Sequence, residues 1–277
     1  MRALKTTDCF VADGTAASSF DHGDVVVRLY RRPTDSRARA LTTAVDKRGQ
    51  EKQYCTLLTN LKVIRNGSTL QLCRLRRSGT FRPWAILNFV YYERMVLFYS
   101  TFVAMKRQDS RPVEHDALLD EFELEKSGTK LGEELLYAST IRDGQMLHTL
   151  RLWEDRSSNV VRLEATASRG PMEHVPLWTA FVTRFVAKGD VDWAQYDGHG
   201  VVSLAAMRPP PYVFLSEYEP PKNRDGLYIL QFTSSNGMSP AWLLLELITL
   251  TTSRRRILCR AVDCTLPVIM NEVLASQ

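Results

Sequence analysis

The sequence predicts a mainly β protein of the α+β kind, two consecutive domains in which an antiparallel bent sheet or barrel is closed by a C-terminal helix. Three observations predict it. The chain has 277 residues, more than one average domain and enough for two that each bury a core. Short β-branched runs alternate with turn residues every several positions, the texture of antiparallel sheets rather than βαβ units. Two such series, finally, run into apolar segments of helical character, at 91–107 and at 241–250.

Taken in order, residues 1–22 are small, polar and aperiodic and read as a flexible leader. The first domain is expected over 23–108. Residues 25–30 form a compact β-branched strand, Arg32-Pro33-Thr34-Asp35-Ser36 has turn chemistry, and 38–45 returns as the second strand of a hairpin. Further strands are expected at 53–58, 61–65, 69–75 and 84–89, with Asn66-Gly67 and Ser78-Gly79 supplying turns. From 91 to 107 the period changes. Tyr92, Met95, Val96, Tyr99, Phe102, Val103 and Lys106 recur at three and four, and Glu93, Arg94 and Lys106 mark polar positions. So aromatic a helix needs a sheet to cover.

Residues 109–131 are rich in acids and read as a linker with one short helix around 116–125. The second domain is expected over 132–250, with strands at 135–141, 147–153, 160–167, 177–186, 201–204, 212–215 and 227–233. Pro209-Pro210-Pro211 and Pro220-Pro221 place the later strands at edges or after extended loops. Ser239-Pro240 opens the helix at 241–250, and 251–277 is a basic tail.

Composition narrows the function classes. Hydrophobic residues at 44% and charged residues at 24% belong to a folded chain. The 36 Lys and Arg exceed the 31 Asp and Glu by five, a small bias toward anionic partners. The distribution says more: arginines gather in 28–39, 74–82 and 254–260, acids in 114–134. Five cysteines without a repeated short spacing, and no apolar signal segment after Met1, favour free thiols in a reducing compartment. No run approaches the roughly 18 apolar residues of a membrane span, so membrane contact is expected to be peripheral.

The order of elements resembles the pleckstrin-homology superfold, in two copies. The residues that carry the resemblance are 25–30 with the basic loop that follows, Trp84-Ala85-Ile86-Leu87-Asn88-Phe89 running into the helix, and 227–235 as the last strand and helix entry of a second copy. The chain is also similar to proteins of filamentous fungi that bring no known activity with them. The apolar Leu243-Leu244-Leu245 departs from the polar closing helix usual in that superfold. The resemblance implies a lipid motif, a basic residue late in the first strand and a basic-any-basic triplet opening the second. Arg28, Arg31, Arg32, Arg37 and Arg39 occupy those positions, with Lys47, Arg48 and Lys52 able to extend the patch. Residues two apart on a strand share a face, so Arg37 and Arg39 could hold one phosphate between them. The alternative is a set of solvated charges on an exposed hairpin.

Arg74, Arg76, Arg77 and Arg82 beside Phe81 and Trp84 form a second basic turn, which reads either as a nucleic-acid surface or as a solvated strand end over a core tryptophan. Arg254-Arg255-Arg256 reads as an import signal or a charged tail. His22, His115, His148, His174 and His199 are scattered, so no metal and no cofactor is expected. No nucleophile elbow, phosphate loop or metalloprotease motif occurs, and Glu133-Glu134 belongs to an acidic stretch rather than to acid–base chemistry. The expected function is a non-catalytic scaffold or adaptor for protein partners, cytoplasmic, with weak contact to an anionic phospholipid surface such as a phosphoinositide. The alternative is a nuclear protein that meets nucleic acid through 74–82 and 254–260.

Overall fold

The structure, a computed structural model, describes residues 26–32, 34–45, 48–114, 116–119, 132–170, 172–188, 192–205, 207–215 and 217–233. The leader at 1–22, the helix at 241–250 and the tail at 251–277 lie outside the described residues.

Six strands and one helix make the first unit. β1 (Val26–Arg31), β2 (Ala38–Val45) and β3 (Glu51–Leu57) form one antiparallel sheet, and β4 (Leu61–Asn66), β5 (Thr69–Leu75) and β6 (Phe81–Asn88) form another. Alternation sets their inner faces: Ala38 and Ala40 of β2, Leu61 and Val63 of β4, Leu70 and Leu72 of β5, and Ala85 and Leu87 of β6 are buried. Asn66 pairs with Thr69, so the β4–β5 turn has Gly67 and Ser68 at its corners. Gly67 takes φ 61°, open to glycine at little cost.

Helix α1 (Tyr92–Arg107) follows, where the period predicts it. Tyr92, Met95, Val96, Tyr99, Phe102 and Val103 are all buried in the first core, and Phe98 joins them. Lys106 departs from its expected polar role. It is 2% exposed, and its Nζ donates to the carbonyls of Leu61 and Leu118 at 2.6 Å each. The flexible stem carries the ammonium to acceptors at the start of β4 and in the following segment, so a charge that looks solvated in sequence becomes a tie. Leu118 belongs to a 3-10 turn (Asp116–Leu118) at the start of the span 116–125 where a short helix is expected, and 120–125 lie outside the described residues.

The second unit is an eight-stranded antiparallel sheet in the order β11-β12-β14-β7-β8-β9-β10-β13. Its strands are β7 (Glu133–Asp143), β8 (Met146–Asp155), β9 (Val161–Ala167), β10 (Pro176–Phe181), β11 (Ala194–Gly198), β12 (Val201–Leu204), β13 (Tyr212–Val213) and β14 (Tyr228–Phe232). Strands β11 and β13 are its edges, so the sheet is open and the barrel alternative does not hold; the two smaller sheets are likewise separate. The strand expected at 177–186 stops at Phe181, and α2 (Thr183–Lys188) takes over. The Val161 amide donates to Thr183 Oγ1, which turns the chain, and Phe185 stacks on Trp193 at 5.2 Å. A short apolar run carries no period that separates the two states. Strand β11 was not expected, because Ala194-Gln195-Tyr196-Asp197-Gly198 has few β-formers and is largely exposed.

Strand β9 is buried on both faces. Val161, Leu163 and Ala165 point into the second core, while Arg162, Glu164 and Thr166 face the other way and are also buried. The first unit covers them: α1 lies against β10, and Val160 and Phe181 pack into the first core. Charge is paired throughout this junction. Arg162 meets Glu133 through two bonds, Nε to Oε1 at 2.6 Å and Nη2 to Oε2 at 2.8 Å, and its Nη1 meets Glu164 at 2.6 Å. The Tyr92 hydroxyl donates to Glu133 from α1. Burial and the Glu133 charge push that phenol well above its usual range. Arg65 of β4 reaches Asp155 of β8 at 2.7 Å, with Asp155 fully buried.

Burial alone would raise the Asp155 carboxyl, but hydrogen bonds from Ser157, Arg65 and Ser158 hold it below its ordinary value. A lowered folded pKa gives stability that is present above about pH 3.9, the unfolded value, and is lost as pH falls through the folded one. Asp155→Asn should therefore lower stability at neutral pH and flatten its decline below about pH 4, which acid denaturation followed by tryptophan fluorescence will measure.

Candidate functional site

The β1–β2 hairpin carries Arg28, Arg31, Arg32, Arg37 and Arg39 but does not gather them on one face, since Arg31 lies opposite inward-facing Ala38, and it commits Arg31, Arg37 and Arg39 to the chain itself. Arg31 pairs with Ala38 across the ladder, and the Arg32 amide donates to the Arg37 carbonyl at 3.1 Å to close the turn. With Ala38 and Ala40 turned inward, Arg37 and Arg39 share the outer face.

Their guanidinium groups are taken up locally. Arg37 Nε lies 2.6 Å from Asp109 Oδ1, and its Nη2 donates to Thr59 Oγ1 at 3.0 Å. The Asp109 side chain is fully buried and also accepts the amides of Ala38 and Arg111, at 2.7 and 2.9 Å. This pair ties the hairpin to the chain leaving α1. Arg39 grips Asp35 through two bonds of 3.0 and 2.5 Å. That contact holds the Asp35 carboxyl well below its usual range and raises Arg39 in turn. Arg31 donates to the Gln108 carbonyl at the end of α1, a cation where the helix dipole is negative. Arg28 and Arg32 are exposed. Arg48 and Lys52 are exposed as well, while Lys47 lies outside the described residues.

The second basic turn is built differently. Arg74 of β5 stands directly opposite Arg82 of β6, and Arg76 and Arg77 occupy the turn between them. That turn is ordered by the Arg76 amide to Thr80 carbonyl bond at 2.9 Å, the Gly79 amide to Arg76 carbonyl bond at 2.9 Å, and Gly79 at φ 76°. Arg74 lies over the Trp84 ring at 5.4 Å, and Lys62 of β4 over Phe81 at 5.2 Å. Trp84 packs against the first core, and Arg74, exposed at the surface, is desolvated in part, which lowers its pKa. The Arg254 to Arg256 run lies outside the described residues.

Glu133 sits in the junction, and Glu134 forms an exposed pair with Arg156 at 2.7 Å. No group of three or more His, Cys, Asp or Glu side chains that could hold a metal occurs among the described residues, and no described helix is long and apolar enough to cross a membrane. His148 is buried edge-on to Tyr218 at 5.7 Å, and burial lowers its pKa against the charge of Asp143. Beside it, a cavity of about 10 Å³ is lined by Ile141, Asp143, Trp178, Tyr218 and Tyr228. Ligand pockets are typically larger by more than an order of magnitude, roughly 300–1,000 Å³. The counter-charges Asp35 and Asp109 carry no signal of that role in the sequence, where Asp35 has turn chemistry and Asp109 opens the acidic linker.

Compared with protein-family models, residues 14–125 match the first, and residues 134–239 the second, of two models described as a PH domain found in tandem in fungal proteins. A search of the curated proteins found no match, and neither did a search of the solved structures.

Because Asp109 is buried, removing its partner leaves a charge uncompensated. Arg37→Ala is expected to cost about 2 kcal/mol, whereas Arg32→Ala, on the exposed turn, should leave stability within the ordinary scatter of surface changes. Urea midpoints of the two variants will separate a structural arginine from a surface one.

Proposed function

Since the chain belongs to the proteins that carry two pleckstrin-homology domains in tandem, a family known from fungal proteins, we propose that it is a non-catalytic scaffold or adaptor that engages protein partners with both domains as one body. The observation that carries this reading is the junction. Domains joined by a polar, weakly packed interface move relative to one another by default. Here α1 of one domain lies on β10 of the other, with Arg162, Glu133, Glu164, Arg65 and Asp155 paired between or beside them. A partner therefore meets one composite surface rather than two tethered ones. Exposed apolar side chains stand ready on it, Val90 and Tyr91 at the entry to α1 and Tyr212 and Val213 on edge strand β13. Affinity capture with the full chain, followed by binding of each captured protein in purified form, tests the reading. The expected result is a purified partner whose affinity drops roughly tenfold or more when Arg65→Met loosens the junction, as loss of two-point attachment requires. If no captured protein binds once purified, the proposal fails.

A weaker contact with anionic phospholipid through Arg28, Arg31, Arg32, Arg37 and Arg39 is the second part of the proposal. Exposed Arg28 and Arg32 support it, and the carboxylates beside Arg37 and Arg39 explain why it is weak and screened by salt. Sedimentation with phosphoinositide vesicles should show partial pelleting that Arg28→Ala/Arg32→Ala abolishes. Equal pelleting by neutral vesicles would remove the lipid part and leave the scaffold reading untouched.

A further inference from the structure

Two sets of arginines among the described residues contrast in their surroundings. Arg37, Arg39, Arg65, Arg156 and Arg162 each lie against a carboxylate of the same chain. Arg74, Arg76, Arg77 and Arg82 do not: no ion pair joins any of them among the described residues, and all four are exposed. Two of the four stand face to face. The register Arg74↔Arg82 puts both on the same side of the β5–β6 ladder, and like charges directly opposite one another are destabilising. Arg76 and Arg77 add two more positive charges within the same turn, whose backbone bonds hold it in one shape. A folded hairpin that keeps four unneutralised guanidinium groups together carries a standing repulsion that an anionic partner would relieve.

We infer that the β5–β6 hairpin is a docking site for an acidic peptide segment of a partner protein, its Asp and Glu carboxylates taken up by Arg74, Arg76, Arg77 and Arg82. The inference rests on the scaffold reading and names where one such partner binds. Each guanidinium fork donates two hydrogen bonds to one carboxylate, so a segment with several acids neutralises the cluster together. The surroundings disfavour the other anions. Bases of a nucleic acid would need free aromatic faces to stack on, yet Trp84 and Phe81 are already covered by Arg74 and Lys62. A bilayer surface would draw on apolar side chains beside the charges, but the turn reads Arg76-Arg77-Ser78-Gly79-Thr80. The exposed Val90 and Tyr91 lie past the far end of β6, roughly 25 Å along the strand direction. The site is also distinct from the β1–β2 hairpin, whose Arg37 and Arg39 have their carboxylates in place.

The test uses the full chain and a fluorescent peptide of alternating Glu and Ser, followed by anisotropy at low and physiological salt. A thymidine oligonucleotide and phosphatidylserine vesicles serve as rival ligands. The wild type should bind the peptide, more weakly as salt rises. Arg76→Glu/Arg77→Glu/Arg82→Glu should weaken it about tenfold or more, as several surface ion pairs together would, while Arg28→Glu/Arg32→Glu leaves it unchanged. A milder variant, Arg76→Ser/Arg77→Ser, covers any folding defect of the triple reversal. Arg82→Glu alone carries a second readout: opposite Arg74 it turns repulsion into attraction and should raise the melting temperature. Absence of peptide binding overturns the inference, as does equal loss in the β1–β2 variant, or tighter binding of oligonucleotide or vesicles through the same arginines. A purified partner that binds the triple variant as well as the wild type would sink the hairpin site while the scaffold reading stands.

Discussion

The carboxylate of Glu133 is the point on which the arrangement of the two domains turns. It opens β7, takes both Nε and Nη2 of Arg162 from β9, and receives the Tyr92 hydroxyl from α1 of the other domain. Removing two charges from water is expensive, and mutual attraction offsets the cost only when geometry is good and the remaining lone pairs are bonded. Both conditions are met here, since Arg162 also reaches Glu164, and Glu164 accepts the Trp153 indole. Burial works against the Arg162 charge, and the two glutamates outweigh it. The bonds from Tyr92 to Glu133 and from Arg65 to Asp155 cross between the domains where α1 packs on β10, so each domain has a definite place on the other.

That constraint explains why the second sheet is unlike the first two. A sheet with one wet face alternates apolar and polar residues, and β9 does alternate, Val161-Arg162-Leu163-Glu164-Ala165-Thr166. Read alone, its polar residues would face solvent. They are instead roofed by the first domain, and the charges that solubility would have required become the means of attachment. Asp155 repeats the arrangement at the end of β8, where Ser157, Ser158 and Arg65 supply donors from both domains.

The fold was legible wherever the signal is local. The helical period at 92–106 identified the buried face of α1, because that face follows from side-chain spacing alone. The six strands of the first domain and most of the second were legible from β-branched runs and turn chemistry. What escaped depended on contacts between distant residues. Strand β11 forms because β12 is there to pair with it, with little help from its own composition. The helical turn of α2 depends on Thr183 meeting Val161 and on Phe185 meeting Trp193. Lys106 is polar by composition and buried by position, and only the carbonyls of Leu61 and Leu118 reconcile the two.

The same distinction governs the two arginine hairpins. Arg37-Ala38-Arg39 satisfies a spacing rule for holding phosphate, and the spacing does deliver what it promises, two guanidinium groups on one face of a strand. Whether such groups are available to a ligand depends on which acids the fold brings up to them. Asp35 lies four residues from Arg39, close enough to suspect from sequence, but Asp109 reaches Arg37 only because α1 returns the chain to the mouth of the hairpin. In the β5–β6 hairpin the fold brings no carboxylate within ion-pair reach among the described residues, and the ladder register sets two of its arginines against each other. A basic motif thus states where positive charge is placed; the counter-charges supplied by tertiary structure decide whether that charge is spent on the fold or presented to a partner.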